Sequence, residues 1–146
     1  MAFIPEEDYN FIYNQVPRVC VDLAIRDEHG ALLLTRRNIP PYKGLWHLPG
    51  GGIKFKETIA EAASRIAKTE FGVDVRLGRF IGVCEIMNDD LDDENPRHSV
   101  SIAYETEIVT GIPQKSDETA EVQYFTELPD AMHPYHGLFI KEYKLL

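Results

Sequence analysis

Apolar positions recur along this chain in two rhythms. The runs Arg18-Val19-Cys20-Val21-Asp22-Leu23-Ala24-Ile25-Arg26 and Ala31-Leu32-Leu33-Leu34-Thr35-Arg36 are rich in β-branched and aliphatic residues and flank Asp27-Glu28-His29-Gly30, a turn-forming set. They predict two strands over 18–26 and 31–36 joined as a hairpin. Strand-like runs follow at 73–75, 79–87, 100–108 and 121–125. Over 57–71 the rhythm changes: Ile59, Ala62, Ala63, Ile66, Ala67 and Phe71 fall three or four residues apart among charged residues, and Gly72 stands where a helix stops. Helices are also expected over 6–15, 127–131 and 134–146, the last with Pro134 in its first turn. Helices and strands interleave, which predicts an α/β or α+β fold.

The 146 residues, 44% hydrophobic, suit one domain over 1–146 with a real core. A net charge of −9 and a pI near 5.0 oppose binding to polymeric DNA or RNA, which wants a basic face, but not binding of a mononucleotide carried with a divalent cation. The first residues lack the basic region and apolar run of a signal peptide, and nowhere do 18 consecutive apolar residues occur, so a cytoplasmic protein without membrane contact is expected. Cys20 and Cys84 lie in apolar runs and read as buried reduced thiols.

The stretch 50–72 carries the chemistry. Pro49 and Gly50-Gly51-Gly52 form a tight loop whose backbone can approach a ligand, followed by the helical stretch. Gly51, Glu57, Arg65, Glu70, Gly72 and Val73 match the Nudix box, G-x5-E-x7-R-E-U-x-E-E-x-G-U with U aliphatic, and Trp46-His47-Leu48-Pro49-Gly50 resembles the run leading into such boxes. Ile66 and Thr69 replace two of the usual acids. Positions 66, 69 and 70 share one helix face, where three carboxylates would hold several Mg²⁺ ions; here Glu70 alone is charged. One carboxylate, the Gly50 carbonyl and phosphate oxygens suit a single Mg²⁺, or Mn²⁺ in its place. Arg65 reads either as a partner of Glu61 at i,i+4 spacing or as the organiser of a carboxylate or phosphate. The resemblance implies an α/β/α sandwich around a mixed sheet, with residues 51–73 as the box.

Within that family the chain is most similar to the GDP-mannose mannosyl hydrolases, which also lack the two acids. Shared features include Glu7-Asp8, Asp22, Arg36-Arg37-Asn38, Gly44-Leu45-Trp46 and His98. The match implies that Asp22 contacts the sugar, Arg37 contacts the diphosphate, Phe3 or Tyr9 receives the base, and the protein forms a homodimer. Ordinary structural roles for Asp22 and Arg37 stand beside these, as a polar strand residue and a surface cation. With few acids near phosphorus, attack of water at the sugar carbon becomes the favoured chemistry, the metal then stabilising the departing nucleoside diphosphate. The chain departs from those enzymes in having Gly52 where they carry Arg, and Thr119-Ala120 where they carry the Gln-His pair whose His is their base. Glu118 is the first candidate to replace that base and His98 the second. The acidic loop 88–96 reads as a flexible hairpin loop, with a substrate lid or a second cation site as alternatives. Two other functions remain: pyrophosphohydrolysis of a nucleoside triphosphate or diphosphate derivative, with Glu57, Glu70 and Glu118 assembling the metal site, and a degenerate domain that binds nucleotide without turnover.

Overall fold

The computed structural model describes residues 4–117 and 119–146. In chain order it contains α1 (Glu6–Tyr13), β1 (Arg18–Ile25), β2 (Leu32–Arg37), β3 (Trp46–His47), β4 (Gly50–Gly52), α2 (Ile59–Phe71), β5 (Asp74–Ile86), β6 (Ser99–Thr110), β7 (Thr119–Phe125) and α3 (Pro134–Glu142). Four strands form a mixed sheet in the order β4-β1-β6-β5, with β1 parallel to β6 and the other pairs antiparallel. A second, antiparallel sheet has the order β3-β2-β7.

The expected hairpin is corrected to a turn that parts into two sheets. The Asp27 amide donates to the Ala31 carbonyl and Arg26 bridges Leu32, but β1 then pairs with β4 and β6 while β2 pairs with β3 and β7. Strand β1 is buried continuously from Cys20 to Ile25, and a strand covered on both faces carries no alternation from which a partner can be read. The two runs at 73–75 and 79–87 are one strand, β5, whose register shifts between Leu77 and Gly82 absorb the interruption around Gly78. Residues 127–131 are not helical. There the Ala131 carbonyl accepts from the Trp46 amide and Met132 bridges Trp46, so this backbone extends the edge of β3.

Helix α2 starts at Thr58 through a reciprocal capping box: Thr58 Oγ1 accepts from the Glu61 amide at 3.1 Å, and the Glu61 carboxylate accepts from the Thr58 amide at 2.8 Å. It ends at Gly72, whose φ of 74° suits glycine best. Its apolar stripe, Ala62, Ala63, Ile66, Ala67 and Phe71, packs with Val21, Leu23, Ile25 and Leu33. On the other side, Phe139 and Ile140 of α3 pack with Ala24, Leu32, Leu34, Trp46, Cys84 and Ala103. The helices thus cover opposite faces, giving the expected α/β/α layering with a mixed sheet. Both thiols are reduced and buried, and burial pushes the Cys84 thiol up to about 12. No helix among the described residues is long and apolar enough to cross a membrane.

Candidate active site

Alternate residues of β1 point to opposite faces. Val21, Leu23 and Ile25 enter the core under α2, while Arg18, Cys20 and Asp22 line a cavity of about 480 Å³. Parallel pairing sets Ser99 beside Arg18 and Ser101 beside Cys20, and both serines line the same cavity. Arg18 and Asp22, four residues apart, mark its two ends about 13 Å apart along the strand.

Strand β4 pairs with the other edge of β1 and carries no side chains. A Cβ at Gly50 would stand 2.2 Å from Asp22 Oδ1, and one at Gly52 would stand 3.5 Å from Arg18 Cδ. A Cβ at Gly51 would turn the other way, 3.3 Å from Ile66 Cδ1 and 4.0 Å from Glu70 Oε1. This glycine ribbon keeps Asp22 and Arg18 on one side and Glu70 on the other within one cavity. Ile66 faces it beside Glu70, whereas Thr69 is exposed. Among the described residues, no three His, Cys, Asp or Glu side chains gather to hold a metal. What is present fits one hard cation shared with a ligand: the Glu70 carboxylate, and room beside Gly50 and Gly51 that side chains would fill.

Arg65 does not pair with Glu61. Its Nε donates to Glu57 Oε2 at 2.8 Å, and its Nη2 donates to Glu57 Oε1 at 3.0 Å and to the Gly52 carbonyl at 2.8 Å. Glu57 also accepts from the Lys54 amide, and its side chain is only 1% exposed. Both Glu57 oxygens are therefore occupied, and Glu57 is not among the cavity-lining residues. The Arg65 hydrogen bonds hold the Glu57 carboxyl below the usual glutamate range. Glu57 and Arg65 together tie the glycine ribbon to α2.

Asp22 does not face solvent: it is 4% exposed, and His136 Nε2 lies 3.2 Å from its Oδ2. His136 Nδ1 accepts from the Leu48 amide at 3.0 Å. Next to it, His133 stacks on His136 with ring centres 4.7 Å apart, and His47 lies 5.9 Å from His136. Burial, aided by Arg37 and by His136, lowers His47 to about 3 and His133 to about 2, so both are neutral. Arg37, at the end of β2, also lines this part of the cavity, and its guanidinium donates to the carbonyls of Ile39, Pro40 and Pro41. The acidic loop closes on the same rim. Asp90 accepts from the Tyr42 amide at 2.6 Å and Asp89 from the Tyr42 hydroxyl at 2.7 Å, while Asn88 lines the cavity. Burial and Asp89 push the Tyr42 hydroxyl upward.

Of the sequence-derived candidates, Asp22, Arg37, Gly50, Arg65 and Glu70 meet in this cavity. His98 precedes β6 between two cavity-lining residues, Arg97 and Ser99, and is not itself in the lining. Glu118 and Phe3 lie outside the described residues. Reading the sequence missed His47, His133 and His136, which come from distant segments, and Arg18 and Arg97. Arg18 was detectable, standing four residues before Asp22 on the same strand face.

Residues 16–143 match the NUDIX domain family model. The low-salt glycan biosynthesis protein Agl8 of Haloferax volcanii is 34% identical over 134 residues, which cover 90% of this chain and 85% of that protein. The ADP-ribose pyrophosphatase of Methanocaldococcus jannaschii is 32% identical over 130 residues, 87% of this chain and 73% of that protein. The crystal structure of the MutT NUDIX hydrolase from Burkholderia pseudomallei matches with a TM-score of 0.71 at 26% identity, covering 86% of this chain and 97% of that one. The family model spans nearly the whole chain, over the same segment that builds the glycine ribbon, α2 and the cavity, and this protein therefore belongs to the Nudix hydrolase family.

Proposed function

We propose that the protein hydrolyses a nucleoside diphosphate sugar at the sugar carbon, giving a nucleoside diphosphate and a free sugar, with GDP-mannose-like substrates as the model. One observation carries this reading: beside the glycine ribbon α2 offers one carboxylate, Glu70, with Ile66 next to it, while a second buried carboxylate, Asp22, stands at one end of the cavity against His136. Attack at phosphorus wants several acids around the metal to hold ions and to deprotonate water. Attack at carbon wants an oriented sugar and a stabilised leaving group.

In this reading, Glu70 and the Gly50 carbonyl would hold one Mg²⁺, or Mn²⁺, which when bound would neutralise charge on the leaving group. Arg37 adds positive charge beside the phosphates. Asp22 accepts from a sugar hydroxyl, and His136 fixes the orientation of its carboxylate. Arg65 holds the ribbon in place through Gly52 and Glu57 and does not touch the substrate. Glu118 is the preferred base, since it stands one residue before Thr119-Ala120, where the mannosyl hydrolases carry the pair that supplies theirs. His98 is the second choice. The protein acts as a cytoplasmic homodimer of single-domain subunits.

The ADP-ribose pyrophosphatase relative favours a second reading, attack at phosphorus on a nucleoside diphosphate derivative. Turnover of a panel of nucleotide sugars in ¹⁸O water with Mg²⁺ separates the two. Label in the released sugar is expected; label in a phosphate product overturns attack at carbon.

A further inference from the structure

At the end of the cavity opposite Asp22, two arginines are held in place by neutral partners. Arg18 donates through Nη1 to the Tyr9 hydroxyl at 2.8 Å and through Nη2 to Ser99 Oγ at 3.3 Å. Arg97 donates through Nη1 to the Asn95 carbonyl at 3.3 Å and through Nη2 to Asn10 Oδ1, and its guanidinium lies 4.9 Å from the centre of the Tyr9 ring. Among the described residues, neither forms an ion pair with a carboxylate, whereas Arg26, Arg36, Arg65, Arg76 and Arg79 all do. In a chain with 24 acidic residues and 15 basic ones, two neighbouring cations without acidic partners are unusual. The Nε atoms of both arginines and the Oγ of Ser101 are shielded from solvent and have no hydrogen-bond partner among the described residues.

Two half-buried guanidiniums repel each other and pay part of their desolvation without compensation. Their two Nε–H groups and their positive charges ask for a partner that accepts and does not donate, and Ser101 can donate to the same partner. Phosphate oxygens meet that requirement. Gly52 places no side chain beside Arg18, and both arginines and Ser101 line the cavity.

We infer that Arg18 and Arg97 form a phosphate-recognition pair at the α1 end of the cavity and bind the phosphate-bearing part of the substrate from the side opposite Arg37. The inference rests on the nucleotide-substrate reading above. It predicts that recognition survives removal of the sugar and of the base.

The test measures binding without turnover. Calorimetry with inorganic pyrophosphate, and with the diphosphate and the unphosphorylated nucleoside of each common base, is run in Ca²⁺ on the full chain and on Arg18→Gln and Arg97→Gln. Each variant is expected to bind pyrophosphate and the diphosphates at least 10-fold more weakly, with a shallower dependence on salt, while nucleoside binding is unchanged. Arg18→Lys, which keeps the charge, is expected to recover part of the loss, and matching thermal melts verify that the variants fold. Unchanged pyrophosphate affinity in both variants overturns the inference, as does a loss confined to nucleosides, which would make the pair a base reader. Phosphate labelling in the ¹⁸O experiment would defeat attack at carbon and leave this binding result standing, so the two ideas fail separately.

Discussion

Asp22 and His136 face each other across the join between β1 and α3, with Nε2 3.2 Å from Oδ2, although the approach is bent away from a straight hydrogen bond. The Leu48 amide donates to His136 Nδ1, so the proton of a neutral ring resides on Nε2, on the Asp22 side. One backbone amide thereby sets which ring nitrogen faces the Asp22 carboxylate. Asp22→Asn removes the negative charge and replaces one acceptor oxygen with a donor NH₂. A loss of about 100-fold in kcat/KM is expected, corresponding to about 2.7 kcal/mol. Steady-state kinetics on the best nucleotide sugar measures it, and wild-type values would remove Asp22 from substrate contact.

Gly50→Ala should damage both fold and site. The added methyl would stand 2.2 Å from Asp22 Oδ1 and 2.5 Å from the Val21 carbonyl, and that backbone belongs to the central strand. A cost at or above the usual overpacking range of about 1–3 kcal/mol is expected, or a fall in Tm of several degrees for a domain of this size. Gly52→Ala, with its nearest contact at 3.5 Å, is the tolerated control.

Acid should weaken the fold through two histidines. His47 and His133 titrate near 6.5 in the unfolded chain but at about 3 and about 2 in the fold, chiefly because of burial. Below pH 6.5 the unfolded chain binds protons that the folded chain refuses, so stability falls with pH until those lower values are reached, by up to about 1.4 kcal/mol per pH unit for each group. His133 caps α3, and Asn is also a good cap, so His133→Asn removes one titration and keeps the cap. Urea midpoints between pH 7 and 4 should fall less steeply in that variant.

The Glu57 carboxyl adds to the same loss of stability in acid. Its folded value lies below the ordinary 4.5 because Arg65 donates to it, so its contribution is complete above pH 4.5 and disappears as pH falls through the lowered value. Glu57→Gln should cost about 1–3 kcal/mol at pH 7, with the gap closing in acid. A gap independent of pH would mean that the ion pair is not its source.

Glu70→Gln preserves shape and removes the charge beside the glycine ribbon. Turnover should fall by about 100-fold or more, with the Mg²⁺ requirement shifted to higher concentration and Tm little changed. Full activity with the same Mg²⁺ dependence would exclude Glu70 as the metal carboxylate.

The helix of the box was legible because its signals are local: Thr58 and Glu61 cap it, Gly72 stops it, and the spacing of Ala62, Ile66 and Phe71 is what one buried face requires. Glu70 was legible from its place on that helix, and Asp22 and Arg37 only through the resemblance to the mannosyl hydrolases. The two-sheet split was not legible, because the long apolar runs of β1 and β2 fit many partners. The histidines were missed because His47 and His136 meet only after α3 folds back across 88 residues to the Leu48 amide. The position of Arg97 beside Tyr9 likewise depends on α1 lying over the end of β6, which no local pattern specifies.

Strand β1 works as a ruler. Its even-numbered residues from Arg18 to Asp22 set the length of the cavity, and its odd-numbered ones from Val21 to Ile25 set the depth of the core. Deleting one residue between them would reverse that parity, carrying Asp22 under α2 and Val21 toward the ligand. Substitutions can tune one end of the site at a time, but changes in the length of this strand act on core and cavity together, so inserted or deleted residues are tolerable only beyond its ends.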